Sequence, residues 1–184
     1  MNYAEILSRA LGPPSQATPV SPQDAESLAE TVPEVLIQLW QKHGWAGYGD
    51  GLFWTVDPRH LAELLPSWSL VPSGSVAFGR DAFANLYLLS DGMVYQHNVH
   101  RDDPAMVAME LDLFFEACLD DPEFRKSYMW SDLFAEALKR CGALQIDECY
   151  GFFPALAIGG SVDAASLRRV KYYEHLEFLA QLHK

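Results

Sequence analysis

The chain has 184 residues, of which 49% are hydrophobic and 12% aromatic, and 13 basic residues against 25 acidic ones leave a formal charge of −12. That balance excludes intrinsic disorder, collagen-like repetition and a coiled coil, and no apolar run approaches the roughly 18–20 residues of a membrane-spanning helix. The charge speaks against direct binding to nucleic acid or to an anionic membrane. The N-terminus shows no basic region followed by an apolar stretch, so no secretory leader is expected. Three cysteines (Cys118, Cys141 and Cys149) fit no zinc spacing, and a reduced, cytoplasmic protein is the expectation.

Tyr3, Ile6, Leu7 and Ala10 recur at helical spacing and predict a first helix over residues 1–11. Residues 12–22 hold four prolines and read as an extended connector. A second helix is expected from Pro22 to Ala29, and a third from Pro33, with Val35, Leu36, Leu39 and Trp40 as its apolar stripe and Gly44 as its stop. Gly47, Gly49 and Gly51 read as turn chemistry before a strand at Leu52–Val56. Asp57-Pro58 is a cap and first-turn pair for a helix through Leu65. Strands at Ser75–Gly79, Asn85–Leu89 and Met93–Val99, the last two joined by Asp91-Gly92, form an antiparallel meander. From Asp103 a helix is expected with Val107, Leu111, Phe114 and Cys118 as its stripe, then another over Ser131–Cys141 ended by Gly142. Tyr150–Gly160 reads as buried extended chain around Pro154, and a last helix begins near Lys171. A sheet-rich half thus gives way near residues 100–104 to a helix-rich half, with no flexible linker between them. The expected class is α+β: an antiparallel sheet with flanking helices, followed by a helix-rich C-terminal half packed against it.

Residues with catalytic potential do not assemble into a known pattern. His97 and His100 are three apart, which on a strand places them on opposite faces, so a structural or surface role is expected. His43, His60, His175 and His183 are scattered along helices and read as surface or boundary residues. The Gly44–Gly51 stretch lacks the lysine and hydroxyl ending of a phosphate loop. No nucleophile elbow exists. The cysteines sit on apolar helix faces or beside acids, where a thiolate is disfavoured. No catalytic residue, metal or cofactor is expected, and the chain is read as a non-enzyme.

One feature stands out. Asp102, Asp103, Glu110, Asp112, Glu116, Asp120, Asp121 and Glu123 occur within 22 residues without a single Lys or Arg. On one helix, Asp112, Glu116 and Asp120 would stack at four-residue spacing opposite the apolar stripe, an arrangement of like charges that costs the helix stability. A docking face for a basic partner is one explanation, a solvated helix face the other. Asp147, Glu148 and Tyr150 form a second, smaller candidate group.

The run Pro33-Glu34-Val35-Leu36, Leu39-Trp40, Gly44, Tyr48, Gly51-Leu52-Phe53-Trp54, Asp57-Pro58 and Trp68, with Val76–Tyr87 after it, resembles the GAD-like domain family. The string Asp147-Glu148-Cys149-Tyr150-Gly151-Phe152-Phe153-Pro154-Ala155-Leu156-Ala157-Ile158-Gly159-Gly160 looks like its companion C-terminal domain. Ala84 stands where the family pattern has glycine, and Cys149 where it has a hydrophobic residue or methionine. The pair of domains, set at residues 1–102 and 103–184 and packed as one body, resembles type VI secretion immunity proteins that guard against DNase effectors. The resemblance implies a cytoplasmic inhibitor, acting in bacterial competition, that binds a cognate basic protein toxin, a nuclease effector, with no direct contact to nucleic acid or membrane. A regulatory or structural module of a phage or mobile-element operon, and a metal-dependent hydrolase, are the competing readings.

Overall fold

Seven antiparallel strands pair in chain order, each with its successor. The computed structural model describes residues 2–184, and its strands are β1 (Ser15–Thr18), β2 (Trp45–Tyr48), β3 (Phe53–Thr55), β4 (Val76–Asp81), β5 (Leu86–Ser90), β6 (Met93–Asn98) and β7 (Asp103–Ala108). Asp91 and Gly92, at φ 49° and 80°, close the two-residue turn between β5 and β6. Alternation along β5 sends Leu86 and Leu88 to one face and Tyr87 and Leu89 to the other.

Both faces are covered. One lies under helices α1 (Tyr3–Leu11) and α3 (Glu34–His43) and an aromatic knot around Phe114, whose ring lies 5.2 Å from Tyr87 and 5.5 Å from Phe78. The short α2 (Pro22–Leu28) packs beside α3, started by a reciprocal Ser21–Asp24 capping box. The opposite face receives Leu61, Leu65 and Trp68 from the β3–β4 connection.

After the sheet come a single α-helical turn, α4 (Leu111–Leu113), running into a π-helical turn at Phe114–Cys118, then α5 (Pro122–Tyr128) and α6 (Ser131–Cys141). A two-stranded antiparallel pair, β8 (Glu148–Phe152) and β9 (Leu167–Lys171), leads into α7 (Tyr172–Leu182). This part is fastened to the sheet at many points. Leu176 and Leu179 of α7 share a core with Leu86 and Leu88, the Tyr150 amide donates to the Ala82 carbonyl at 2.8 Å, and Gln16 reaches the Leu144 carbonyl at 2.9 Å.

Several local expectations are corrected. Asp103 opens a strand, not a helix: without β7 the outer edge of β6 would be left unpaired, and an edge strand tolerates Pro104. The stripe expected at Val107, Leu111, Phe114 and Cys118 is therefore split between β7, α4 and the π turn. The connector at residues 12–22 contains β1, and the segment read as turn glycines contains the wholly buried β2. Asp57–Leu65 forms no continuous helix but 3₁₀ turns at Pro58–His60 and Leu65–Ser67, because Leu61, Leu64 and Leu65 must all reach the sheet within a short connection. Only the first part of Tyr150–Gly160 is buried strand; Phe153 and Ile158 are 46% and 60% exposed. His175 is a core residue, not a surface or boundary one, and buried His97 and His100 take the structural of their two expected roles.

The glycine expected at position 84 has a backbone reason, since Ala84 sits where a glycine would be relaxed. It is buried at φ 65°, the left-handed region in which glycine is at ease and alanine is strained.

Candidate partner-binding surface

The eight acids of the 102–123 segment do not form one stripe. Asp103 is exposed at the start of the sheet's outer strand, and Glu110 is exposed just after it. Asp112 is half-buried and accepts a hydrogen bond from the Tyr3 hydroxyl, tying α4 to α1. Burial raises the pKa of Tyr3, and Asp112, then Glu110 and Glu116, raise it further, so these three carboxylates gather about one phenol. Asp121 caps α5 by accepting from the Glu123 amide at 2.9 Å. Glu116, Asp120, Asp121 and Glu123 are exposed, and no salt bridge among the described residues engages any of them. Asp102 belongs elsewhere: it is only 9% exposed, with its carboxylate 3.5 Å from His97.

The π turn is the reason the ladder fails. Its i→i+5 step inserts an extra residue into the turn, so Asp112 before it and Asp120 after it are not related by α-helical phase. Sequence periodicity missed a second element of this surface. Met106, Met109 and Leu113 are 51%, 72% and 44% exposed, and they interleave with Asp103, Glu110 and Glu116 along the chain. Solitary exposed apolar residues are ordinary; three within eight positions of an edge strand and its exit are not. The signal was present as methionines among acids, but the assumed helix assigned Met106 and Met109 to no particular face.

The second candidate group behaves differently. Asp147 pairs with Lys171, and Glu148 accepts from the Gln145 amide at 3.0 Å and lies 3.9 Å from Arg169. Tyr150 is completely buried and donates its hydroxyl to the Gly142 carbonyl at 2.7 Å, so it is part of the scaffold and offers no ring to a partner. Much of the surrounding string is architectural. A Cβ on Gly151 would meet the His175 ring at 2.7 Å, and one on Gly160 would collide with the Pro154 carbonyl. Phe152 stacks on Phe83 and meets His100 edge-on.

The histidines form a buried group rather than a reactive centre. His100 shares its Nε2 with the Phe83 carbonyl at 2.8 Å, His97 meets Trp68 edge-on, and His175 lies 5.9 Å from His100, ring to ring. Burial lowers their pKa values to about 4 for His97, 3 for His100 and 4 for His175. Among the described residues, no three of His, Cys, Asp or Glu converge as a metal site would require. Burial pushes the Cys149 thiol up to about 12, far from a reactive thiolate.

Charge is unevenly divided. Residues 1–124 carry 18 acids and 5 bases, while residues 125–184 carry 7 acids and 8 bases. The excess negative charge of the molecule therefore lies in its first two thirds, helices included.

Comparison with known proteins places the chain. Residues 2–100 match the model of the GAD-like domain, and residues 108–183 match that of the type VI secretion (T6SS) immunity protein Tdi1, C-terminal. No curated protein matches. The fold is that of the crystal structure of Atu4351 from Agrobacterium tumefaciens, with a TM-score of 0.81 over 96% of this chain and 88% of that one, at 18% identity. No helix among the described residues is long and apolar enough to cross a membrane. The chain belongs to the GAD-like domain family, in the two-domain form of a type VI secretion immunity protein.

Proposed function

We propose that this GAD-like immunity protein neutralises a basic nuclease effector, a DNase, by occupying the surface on which the effector holds DNA. The supporting observation is the patch running from β7 to the start of α5, where Asp103, Glu110, Glu116, Asp120, Asp121 and Glu123 stand without cationic partners among the described residues, around exposed Met106, Met109 and Leu113. A nuclease must present positive charge to a phosphate backbone. Acids left without intramolecular partners imitate that backbone and speed the encounter. Charge of this kind sets the association rate, whereas lasting affinity comes from desolvated apolar anchors, the part taken here by the methionines and Leu113. Asp147 and Glu148, already paired internally, contribute at most to the rim. Inhibition by occupation requires no catalysis, cofactor or metal, and the place of action is the cytoplasm of the cell that makes the toxin.

The test is co-expression with a candidate basic nuclease effector taken from the neighbouring genes, followed by co-purification and a DNA-cleavage assay. A stable complex in which cleavage is suppressed, and in which Met109→Asp releases the effector, is the expected result. A complex that forms equally well with Met109→Asp and with Glu110 and Glu116 both reversed to lysine would place the interface elsewhere.

A further inference from the structure

A cavity of about 280 Å³ opens between the sheet and the second half of the chain, walled by Trp45, Trp54 and Val56 on one side and by Ile146 and Tyr172 on the other. It shares no residue with the acidic patch of residues 103–123, so the inhibition proposed above makes no use of it. Arg80 lines it from within, only 1% exposed. The guanidinium is sandwiched between aromatic rings, its central carbon 4.9 Å from the centre of Trp54 and 4.5 Å from that of Tyr172. It donates to two backbone carbonyls, those of Asp81 at 3.2 Å and Ile146 at 2.8 Å, and forms no salt bridge with any described residue.

An arginine without a carboxylate partner is costly to bury and does not readily shed its proton. Two hydrogen bonds leave most of its fork of donors unused. The carboxylates that also line the cavity do not answer it. Asp57 is held by Arg59 at 2.9 and 2.6 Å, and Asp147 by Lys171. Each rim acid has its own cation, the buried Asp81 carboxylate is taken by Phe83 and Asn85, and the cation within is in salt-bridge contact with no described carboxylate.

The remaining walls are aromatic and aliphatic. At about 30 Å³ for each water-sized group, the space admits roughly nine of them. A doubly charged phosphate would need more donors than one arginine offers among such walls. We propose that this cavity binds a small organic monocarboxylate with a flat apolar body, the carboxylate facing Arg80 and the body lying against Trp54 and Val56.

The experiment is calorimetric titration of the full chain with four probes: benzoate, benzyl alcohol, benzylamine and inorganic phosphate. Benzoate is expected to bind saturably, and benzyl alcohol at least tenfold more weakly; benzylamine and phosphate should show no binding. Arg80→Gln should abolish the preference for benzoate. Because that change also loosens the contact with Ile146, Thr18→Trp supplies an independent arm: Thr18 is exposed at the cavity's edge, and the larger side chain should close the cavity without disturbing the core. Failure of benzoate to bind overturns the proposal. So do equal affinities for benzoate and benzyl alcohol, binding of phosphate as tight as that of benzoate, or benzoate binding undiminished in folded Thr18→Trp.

Discussion

Two stretches of this chain are rich in acids, and the folded protein uses them in opposite ways. Around Asp147 and Glu148 the carboxylates find Lys171, Arg169 and a backbone amide within their own half, and the neighbouring tyrosine is buried. Along Asp103–Glu123 no base lies in the sequence, and most of the carboxylates end in solvent above the Phe114 knot. Acid count therefore does not identify a docking surface. What separates the two stretches is whether the carboxylates find an internal partner, and that depends on where the cations of the chain fall.

Acidification should break the symmetry between the two stretches most strongly. His97, His100 and His175 stay neutral in the folded protein down to about pH 4, 3 and 4, while in the unfolded chain they take up protons below about 6.5. Stability is thus fully present above about pH 6.5 and is lost as the pH falls toward 4, by several kcal/mol, since each tenfold difference in proton affinity between the folded and unfolded chain is worth about 1.4 kcal/mol. Asp81, which burial pushes up to about 7, acts in the opposite sense and reduces the net loss. The charges facing the group are Asp102, Arg101 and His183. Hydrogen exchange should show β8 and β9 loosening first, because Gly151 rests on the His175 ring. His175→Gln should flatten denaturant-unfolding free energies measured between pH 8 and 4.5; an unchanged slope would remove this histidine from the account.

Phe114→Ala removes the central ring beneath the unpaired acids and should cost about 3–5 kcal/mol in urea unfolding. A loss below 1 kcal/mol would mean that the knot does not carry the patch. Charge reversal separates the stretches more directly. Glu110, Glu116 and Asp120 all changed to lysine should slow association with the effector at least tenfold at low salt, equivalent to about 1.4 kcal/mol, and leave thermal stability intact. The effect should shrink as salt shortens the screening length to about 10 Å at 0.1 M. Arg168 and Arg169 reversed to glutamate should leave the rate near wild type. Should the second pair matter and the first triple not, the comparison is inverted. The smallest effect expected is a gain: Ala84→Gly relieves a left-handed alanine and should stabilise by about 0.5–1 kcal/mol, seen as a modest rise in Tm.

Much of the fold was legible in the sequence. The meander from Val76 to Asn98, the helix Ser131–Cys141 and the terminal helix all follow from alternation, the Asp91-Gly92 turn and helical spacing. The failures share a cause. Asp103–Ala108 carries a proline and a helix-like onset, yet an unpaired neighbouring strand recruited it, and no local pattern records the needs of a neighbour. β1, β2 and β9 are short strands whose glycine, polar or charged residues conceal alternation. Of the candidate site, the acids outside the core were legible as a run without bases. The burial of Asp102 and Tyr150, and the exposure of Met106 and Met109, depended on tertiary placement.

The π turn at Phe114–Cys118 has a consequence for how such a protein diversifies. Its inward residues, Phe114 and Phe115, are held by the core, while Glu116 and Ala117 between the buried positions point to solvent. Outward substitutions there disturb no packing, so the proposed recognition face can drift with a changing adversary at little cost in stability. The Asp147–Gly160 string has less freedom: Gly151 and Gly160 have no room for a Cβ, and the buried Phe152 stacks on Phe83. Ancestry is therefore readable where the chain touches itself, and specificity is written where it does not.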